Sequence, residues 1–131
     1  MKPLNALIID DNDAFRQSLN RVLARHFPTL RITEADDGDD ALFSVAQLLP
    51  DLIFMDIHLP GRNGLDLTRI IKNVYIHPLI CVITSFDLPE YRDAALRNGA
   101  DYFIAKDEST EAAIVAIVDS LLAGFTASPQ M

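Results

Sequence analysis

Short unbroken apolar runs alternate along this chain with longer stretches whose apolar residues recur every three or four positions. The runs are Ala6-Leu7-Ile8-Ile9, Leu52-Ile53-Phe54-Met55, Leu79-Ile80-Cys81-Val82-Ile83 and Tyr102-Phe103-Ile104-Ala105, with a further strand expected over 30–35. Apolar runs without polar alternation predict strands buried on both faces, as in a parallel sheet. Between them, Phe15, Leu19, Val22 and Leu23 repeat at helical spacing, and Pro28 closes that helix. A second helix starts at Asp36-Asp37-Gly38, carries Leu42, Phe43, Val45, Ala46 and Leu49, and ends at Pro50. Leu59-Pro60-Gly61 reads as a loop before a third helix over 64–73. Pro89 suits the first turn of a fourth helix that stops near Gly99. A last helix is expected over 109–123.

Five strand–helix units in series predict an α/β fold, a doubly wound five-stranded parallel sheet flanked by five helices, flavodoxin-like. The expected strand order is 2-1-3-4-5, with the switch point between strands one and three. With 131 residues, half of them hydrophobic, the chain fits one domain with a substantial core. Its expected extent is 1–125, leaving 126–131 as a short tail compatible with the start of a linker.

The net charge of −8, with 19 acids against 11 bases, argues against nucleic-acid binding by this segment itself. No apolar stretch approaches the roughly 20 residues of a membrane span, no secretory signal opens the chain, and a cytoplasmic setting is expected. The single cysteine, Cys81, lies inside an apolar run and reads as a buried, inert thiol. His26, His58 and His77 show no metal-ligand spacing.

The ends of the apolar runs carry the chemistry. Asp10-Asp11, Asp56, Thr84 and Lys106 each follow one of them, and ligands of open parallel sheets bind outside the carboxyl ends of the strands. Crowded carboxylates repel unless a cation intervenes. Mg²⁺, a hard ion that prefers oxygen ligands, is the natural candidate. Phosphoryl transfer needs positioning and neutralised charge on the equatorial oxygens. The metal, the Lys106 ammonium and the Thr84 hydroxyl can supply these, with Asp56 as nucleophile. Thr84 also reads as an ordinary strand-end β-branched residue. Acids at Asp13, Asp36 and Asp37 read instead as helix caps, and Asp39 and Asp40 as a solvated helix start.

Over about 4–123 the chain resembles the receiver domain of two-component response regulators. The motifs are Ile8-Ile9-Asp10-Asp11, Met55-Asp56-Ile57-His58-Leu59-Pro60-Gly61-Arg62-Asn63-Gly64, Ile83-Thr84-Ser85, and Gly99-Ala100-Asp101 through Phe103 to Lys106. The resemblance implies that a sensor histidine kinase phosphorylates Asp56. It further implies that Asp11, Asp56 and the backbone carbonyl of His58 hold Mg²⁺, with Asp10 helping through water. It implies a switch in which Thr84 moves toward the phosphoryl group and Phe103, or its neighbour Tyr102, fills the vacated space. His58 and Phe86 stand where the family tunes hydrolysis. Asn12-Asp13-Ala14-Phe15-Arg16 and Lys106-Asp107 are most similar to the branch that carries a C-terminal helix-turn-helix DNA-binding domain, of the LuxR, NarL and FixJ type. Asp107 replaces a common cis-proline, so its peptide is either trans or held by strain.

The last helix is apolar around most of its circumference through Ala112 to Val118, then Leu121, Leu122 and Phe125. It reads either as a partner face, homodimerisation through helix four, strand five and helix five being common among receivers, or as a face covered by the rest of a longer chain. Two other functions fit less well. A phosphohydrolase of the haloacid dehalogenase type needs a second aspartate where His58 stands, and a degenerate receiver would not keep Asp11, Asp56, Thr84 and Lys106.

Overall fold

A computed structural model describes residues 3–126 of the chain. The apolar runs form β1 (Asn5–Ile9), β3 (Leu52–Met55), β4 (Leu79–Thr84) and β5 (Tyr102–Ala105), and β2 is Arg31–Ala35. All pair in parallel in the order β2-β1-β3-β4-β5, as expected from the connectivity. The helices are α1 (Asp13–His26), α2 (Gly38–Leu48), α3 (Gly64–Val74), α4 (Pro89–Arg97) and α5 (Glu111–Thr126).

The core has two layers, one on each face of the sheet. Leu7, Ile9, Ile53, Met55, Ile80, Val82 and Phe103 pack against Val45 of α2, Leu67 and Ile71 of α3 and Ala95 of α4. Alternate strand residues, Ala6, Ile8, Phe54, Cys81 and Ile83, pack against Leu19 and Leu23 of α1 and Ile114, Val118 and Leu121 of α5. Side chains alternate between faces along a strand, so a run apolar at every position serves both layers. β2 departs from that pattern. It is an edge strand with only Ala35 buried, and its polar Arg31, Thr33 and Glu34 need no second layer.

Three local expectations are corrected. Asn12, not Asp13, caps α1 by accepting from the Phe15 N–H, while Asp13 sits in the first turn beside Arg16. Asp37 caps α2 through the Asp40 N–H, and Asp36 does not. The last helix begins at Glu111 and continues to Thr126, after a 3₁₀ turn over Lys106–Glu108 that accommodates Asp107 with a trans peptide. Asp39 pairs with Arg62 on the surface. His26 pairs with Glu111, and His77 with Asp51.

The apolar excess of α5 is smaller than its sequence suggests. Ile114, Val118 and Leu121 are buried, Ile117 and Leu122 are half-buried against the core, Ala113 and Val115 are half-buried, and among the described residues the exposed apolar side chains of α5 are Ala112, Ala116 and Ala123. Of the tail expected at 126–131, Thr126 ends α5, and residues 127–131, with the side chain of Phe125, lie outside the described residues. Large exposed apolar side chains stand elsewhere, at Phe43 of α2, at Leu49, Val74 and Ile76 at or just after the C-terminal ends of α2 and α3, and at Phe86, Leu88 and Leu96 around α4.

Candidate functional site

Register brings the site together. Ile9 pairs with Met55, and Met55 with Val82, so the next residues Asp10 and Asp56 leave neighbouring strands at the same level. Thr84 ends β4 opposite Ala105 of β5, and Lys106 follows at once. Carboxylate oxygens of Asp10, Asp11 and Asp56 all lie within 4.8 Å of one another. Lys106 Nζ lies 2.8 Å from Asp10 Oδ2 and 3.7 Å from Asp56 Oδ2.

Each acid is held differently. Asp10 is 2% exposed. Its Oδ1 accepts from the Asn12 N–H at 2.8 Å, and its own N–H donates to the Ala35 carbonyl at 3.0 Å. Asp56 is 7% exposed, with Oδ1 accepting from the Ile57 N–H at 2.9 Å. Asp11 is exposed, and among the described residues no hydrogen bond fixes its carboxylate. Burial pushes the Asp56 carboxyl up to about 6, helped by the negative charges of Asp10 and Asp11 and opposed by Lys106 and the Ile57 N–H. An ionised Asp56 therefore gains from a cation at this edge. Three carboxylates within reach of one point form an oxygen-only donor set suited to Mg²⁺ rather than a softer metal.

Thr84 is fully buried, and its hydroxyl accepts from the Phe86 N–H at 3.2 Å. Two residues past Val82, it projects to the same face of the sheet as Val82 and Phe103. Phe103 is only 8% exposed and turned inward, with the Arg92 guanidinium 4.9 Å from its ring centre. Tyr102 faces the opposite layer, where its hydroxyl lies 3.1 Å from Ser120 Oγ. Of the two aromatic candidates, Phe103 is the one on the Thr84 side. The rings of His58 and Phe86 lie 4.0 Å apart at centre and tilted by 42°, with Tyr91 6.2 Å from the first and 5.9 Å from the second, so the two positions singled out beside the acceptor touch each other.

Several supporting groups were not singled out in the sequence. The Lys106 ammonium sits 4.5 Å from the centre of the Phe15 ring, a cation–π contact that holds it over the site. Phe15 has the helical spacing of a core residue, and only its place in the first turn of α1 indicates a second duty. Gly64 lies so close beneath the acceptor loop that a Cβ there would meet the Asp56 carbonyl oxygen at 1.9 Å. The Gly64 N–H donates to the Ile57 carbonyl at 2.6 Å. His58 and Leu59 pair with Asn63 and Arg62 in a two-residue antiparallel ladder, and Pro60 and Gly61, with φ 78° at the glycine, form a type II turn between them. Cys81 is inert as expected, its thiol pushed up to about 12 by burial and by Asp101. Among the described residues no helix is long and apolar enough to cross a membrane.

The response regulator receiver domain model matches residues 6–119. The chain is 31% identical over 114 residues to the transcriptional regulatory protein DegU of Brevibacillus brevis, across 87% of this chain and 48% of DegU. It is 29% identical over 129 residues to the Fimbriae Z protein of Salmonella typhimurium, across 98% of this chain and 61% of that protein. The chain thus spans about half the length of the curated relatives it matches. Among solved structures, the LuxR-family two-component response regulator from Aurantimonas sp. SI85-9A1 superposes with a TM-score of 0.84 at 27% identity, over 94% of this chain and 87% of that one. The BeF3-activated receiver domain of Klebsiella pneumoniae RstA superposes with a TM-score of 0.83 at 25% identity, over 90% and 97%.

Proposed function

This chain belongs to the response regulator receiver domain family, and from that premise we propose that it is switched by phosphorylation of Asp56. The observation that carries the proposal is the meeting of Asp10, Asp11, Asp56 and Lys106 at one edge of the sheet. Receiver domains of response regulators interact with histidine kinases, and a kinase phosphohistidine is the proposed donor here. An Asp56 carboxylate oxygen attacks phosphorus, the phosphorus–nitrogen bond breaks, and its electron pair leaves with the imidazole. Asp56 Oδ1 is engaged by the Ile57 N–H, whereas Oδ2 accepts no hydrogen bond among the described residues. Lys106 exchanges its 2.8 Å contact with Asp10 for a phosphoryl oxygen. Thr84 exchanges its bond from Phe86 for another. Asp10, Asp11, Asp56 and the His58 carbonyl would hold Mg²⁺, whose chemistry is neutralisation of charge on the transferring group. A haloacid dehalogenase-type hydrolase and a degenerate receiver are not favoured.

Stoichiometric uptake tests the proposal. With Mg²⁺ and beryllofluoride, one adduct per chain is expected, with shifts of the Asp56, Thr84 and Lys106 amide resonances. Unchanged spectra would contradict it.

We propose further that the lifetime of the phosphoryl group is tied to the contact between His58 and Phe86, two exposed rings 4.0 Å apart on the loops that follow β3 and β4, which would slow the approach of attacking water. Phe86→Glu and Phe86→Asn are expected to shorten the acyl-phosphate half-life severalfold, followed as loss of label. An unchanged half-life in both variants removes the idea.

The inward, buried Phe103 supports an active-like state reached without phosphate. It has no hydroxyl to favour an outward, solvent-facing position. Phe103→Tyr is therefore expected to lower basal self-association, proposed through α4, β5 and α5, in sedimentation of the unphosphorylated protein. Equal association in both proteins counts against it. The proposed output is transcriptional, through a DNA-binding domain such as the LuxR-type relatives carry, and this domain itself does not contact DNA.

A further inference from the structure

Arg16, one turn into α1, spreads its guanidinium over three partners. Nε donates to Glu34 Oε1 at 2.7 Å, Nη2 to Asp13 Oδ1 at 2.6 Å, and Nη1 to the backbone carbonyl of Asp10 at 2.7 Å. Its side chain is only 13% exposed. Glu34 lies on β2, and its other oxygen accepts from Asn20 Nδ2 at 2.7 Å. The Asp10 carbonyl belongs to the Asp10–Asp11 peptide, so gripping it sets the plane from which Asp11 departs. Since the Asp10 N–H is already held by Ala35, this residue is tied to β2 at both ends, directly at one and through Arg16 and Glu34 at the other. The Asp11 carboxylate has no hydrogen bond of its own among the described residues, and only its backbone directs it at Asp56. Asp13 and Glu34 neutralise the Arg16 charge, so the fork serves geometry more than electrostatics.

We propose that Arg16 is a positioning residue, which aims the Asp11 carboxylate toward Asp56 and so prepares the site for its cation. The inference rests on Asp10, Asp11 and Asp56 holding the cation, as proposed above. Asn20 supplies the control. It also ties α1 to Glu34 but, among the described residues, its side chain makes no hydrogen bond to the β1–α1 loop, so a purely structural role for the α1–β2 linkage predicts equal losses at both positions. A lysine at 16 keeps the charge but lacks the planar fork, whose separate nitrogens hold Glu34 and the Asp10 carbonyl in a fixed relation to each other.

The test is a Mg²⁺ titration of the metal-free protein followed by amide resonances, on wild type, Arg16→Met, Arg16→Lys and Asn20→Ala. Both Arg16 variants are expected to bind Mg²⁺ about tenfold more weakly. Their Asp11 and Asn12 amides should shift before any metal is added, while β4 and β5 resonances stay in place. Asn20→Ala is expected to keep wild-type affinity. Undiminished affinity in Arg16→Met, full retention in Arg16→Lys, or an equal loss in Asn20→Ala each overturns the inference. A wild-type protein that binds no Mg²⁺ overturns instead the reading of the acidic cluster on which the inference rests.

Discussion

Asp56→Asn is expected to lose phosphoryl uptake altogether and, in the metal-free protein, to melt at a higher temperature than wild type. The first effect follows from chemistry, because a carboxamide is not a competent nucleophile toward phosphorus. The second follows from linkage. The Asp56 carboxyl titrates at about 6 in the fold, against an ordinary value of 3.8. Between those values the folded state holds the proton and the unfolded chain does not, so stability falls as pH rises through that window. Above about pH 6 the ionised carboxylate costs about 2 kcal/mol, discounted for its solvent-facing side. Asparagine removes that cost while keeping the shape. The melting temperature should rise by roughly 5–10 °C near neutral pH, and the gap should close toward pH 4, where both side chains are neutral. Saturating Mg²⁺ should narrow it as well, by stabilising ionised wild-type Asp56. A wild type that is the more stable protein near neutral pH would show that Asp56 is better accommodated as an anion than its burial implies.

Gly64→Ala is expected to damage both fold and site, and far more than Gly61→Ala three residues earlier. A Cβ at Gly64 would lie 1.9 Å from the Asp56 carbonyl oxygen, 2.8 Å from its carbon and 2.9 Å from the Ile57 Cα. All three are backbone atoms, and no rotamer change relieves them. Either α3 or the acceptor loop must move, at a cost of about 3 kcal/mol or more. At Gly61 nothing lies within 4 Å, and the penalty is that of a side chain at φ 78°, about 1 kcal/mol. Chemical denaturation of both variants, with label uptake measured on the folded fraction, separates them. Gly61→Ala should still take up a phosphoryl group, and Gly64→Ala should not. A Gly64→Ala protein with wild-type stability would mean that the acceptor loop yields easily.

The sheet and the convergence of Asp10, Asp56, Thr84 and Lys106 were legible in the sequence because both follow from one-dimensional pattern. Unalternated apolar runs imply parallel strands, parallel strands end level with one another, and the residue after each run falls on the shared edge. Contacts that depend on where a side chain reaches were not legible. Arg16 was visible only as part of a family-like motif, since its fork joins a helix, a loop carbonyl and an edge strand. The first-turn phenylalanine under Lys106 carries the same spacing as its core neighbours. The tight seat of Gly64 is a distance between two backbones, unmarked by composition. The last helix shows less apolar surface than its sequence suggests, because the residues exposed there include Ala112 and Ala116, whose side chains are small and carry little burial energy.

The most direct measurement is chemical mapping of the acceptor. Treated with acetyl phosphate and Mg²⁺, then reduced with borohydride and digested, the protein should carry one modification per chain, on the peptide containing Asp56. It should carry none when Mg²⁺ is chelated or when Asp56 is asparagine. A modification elsewhere, or one that persists in Asp56→Asn, would contradict the account.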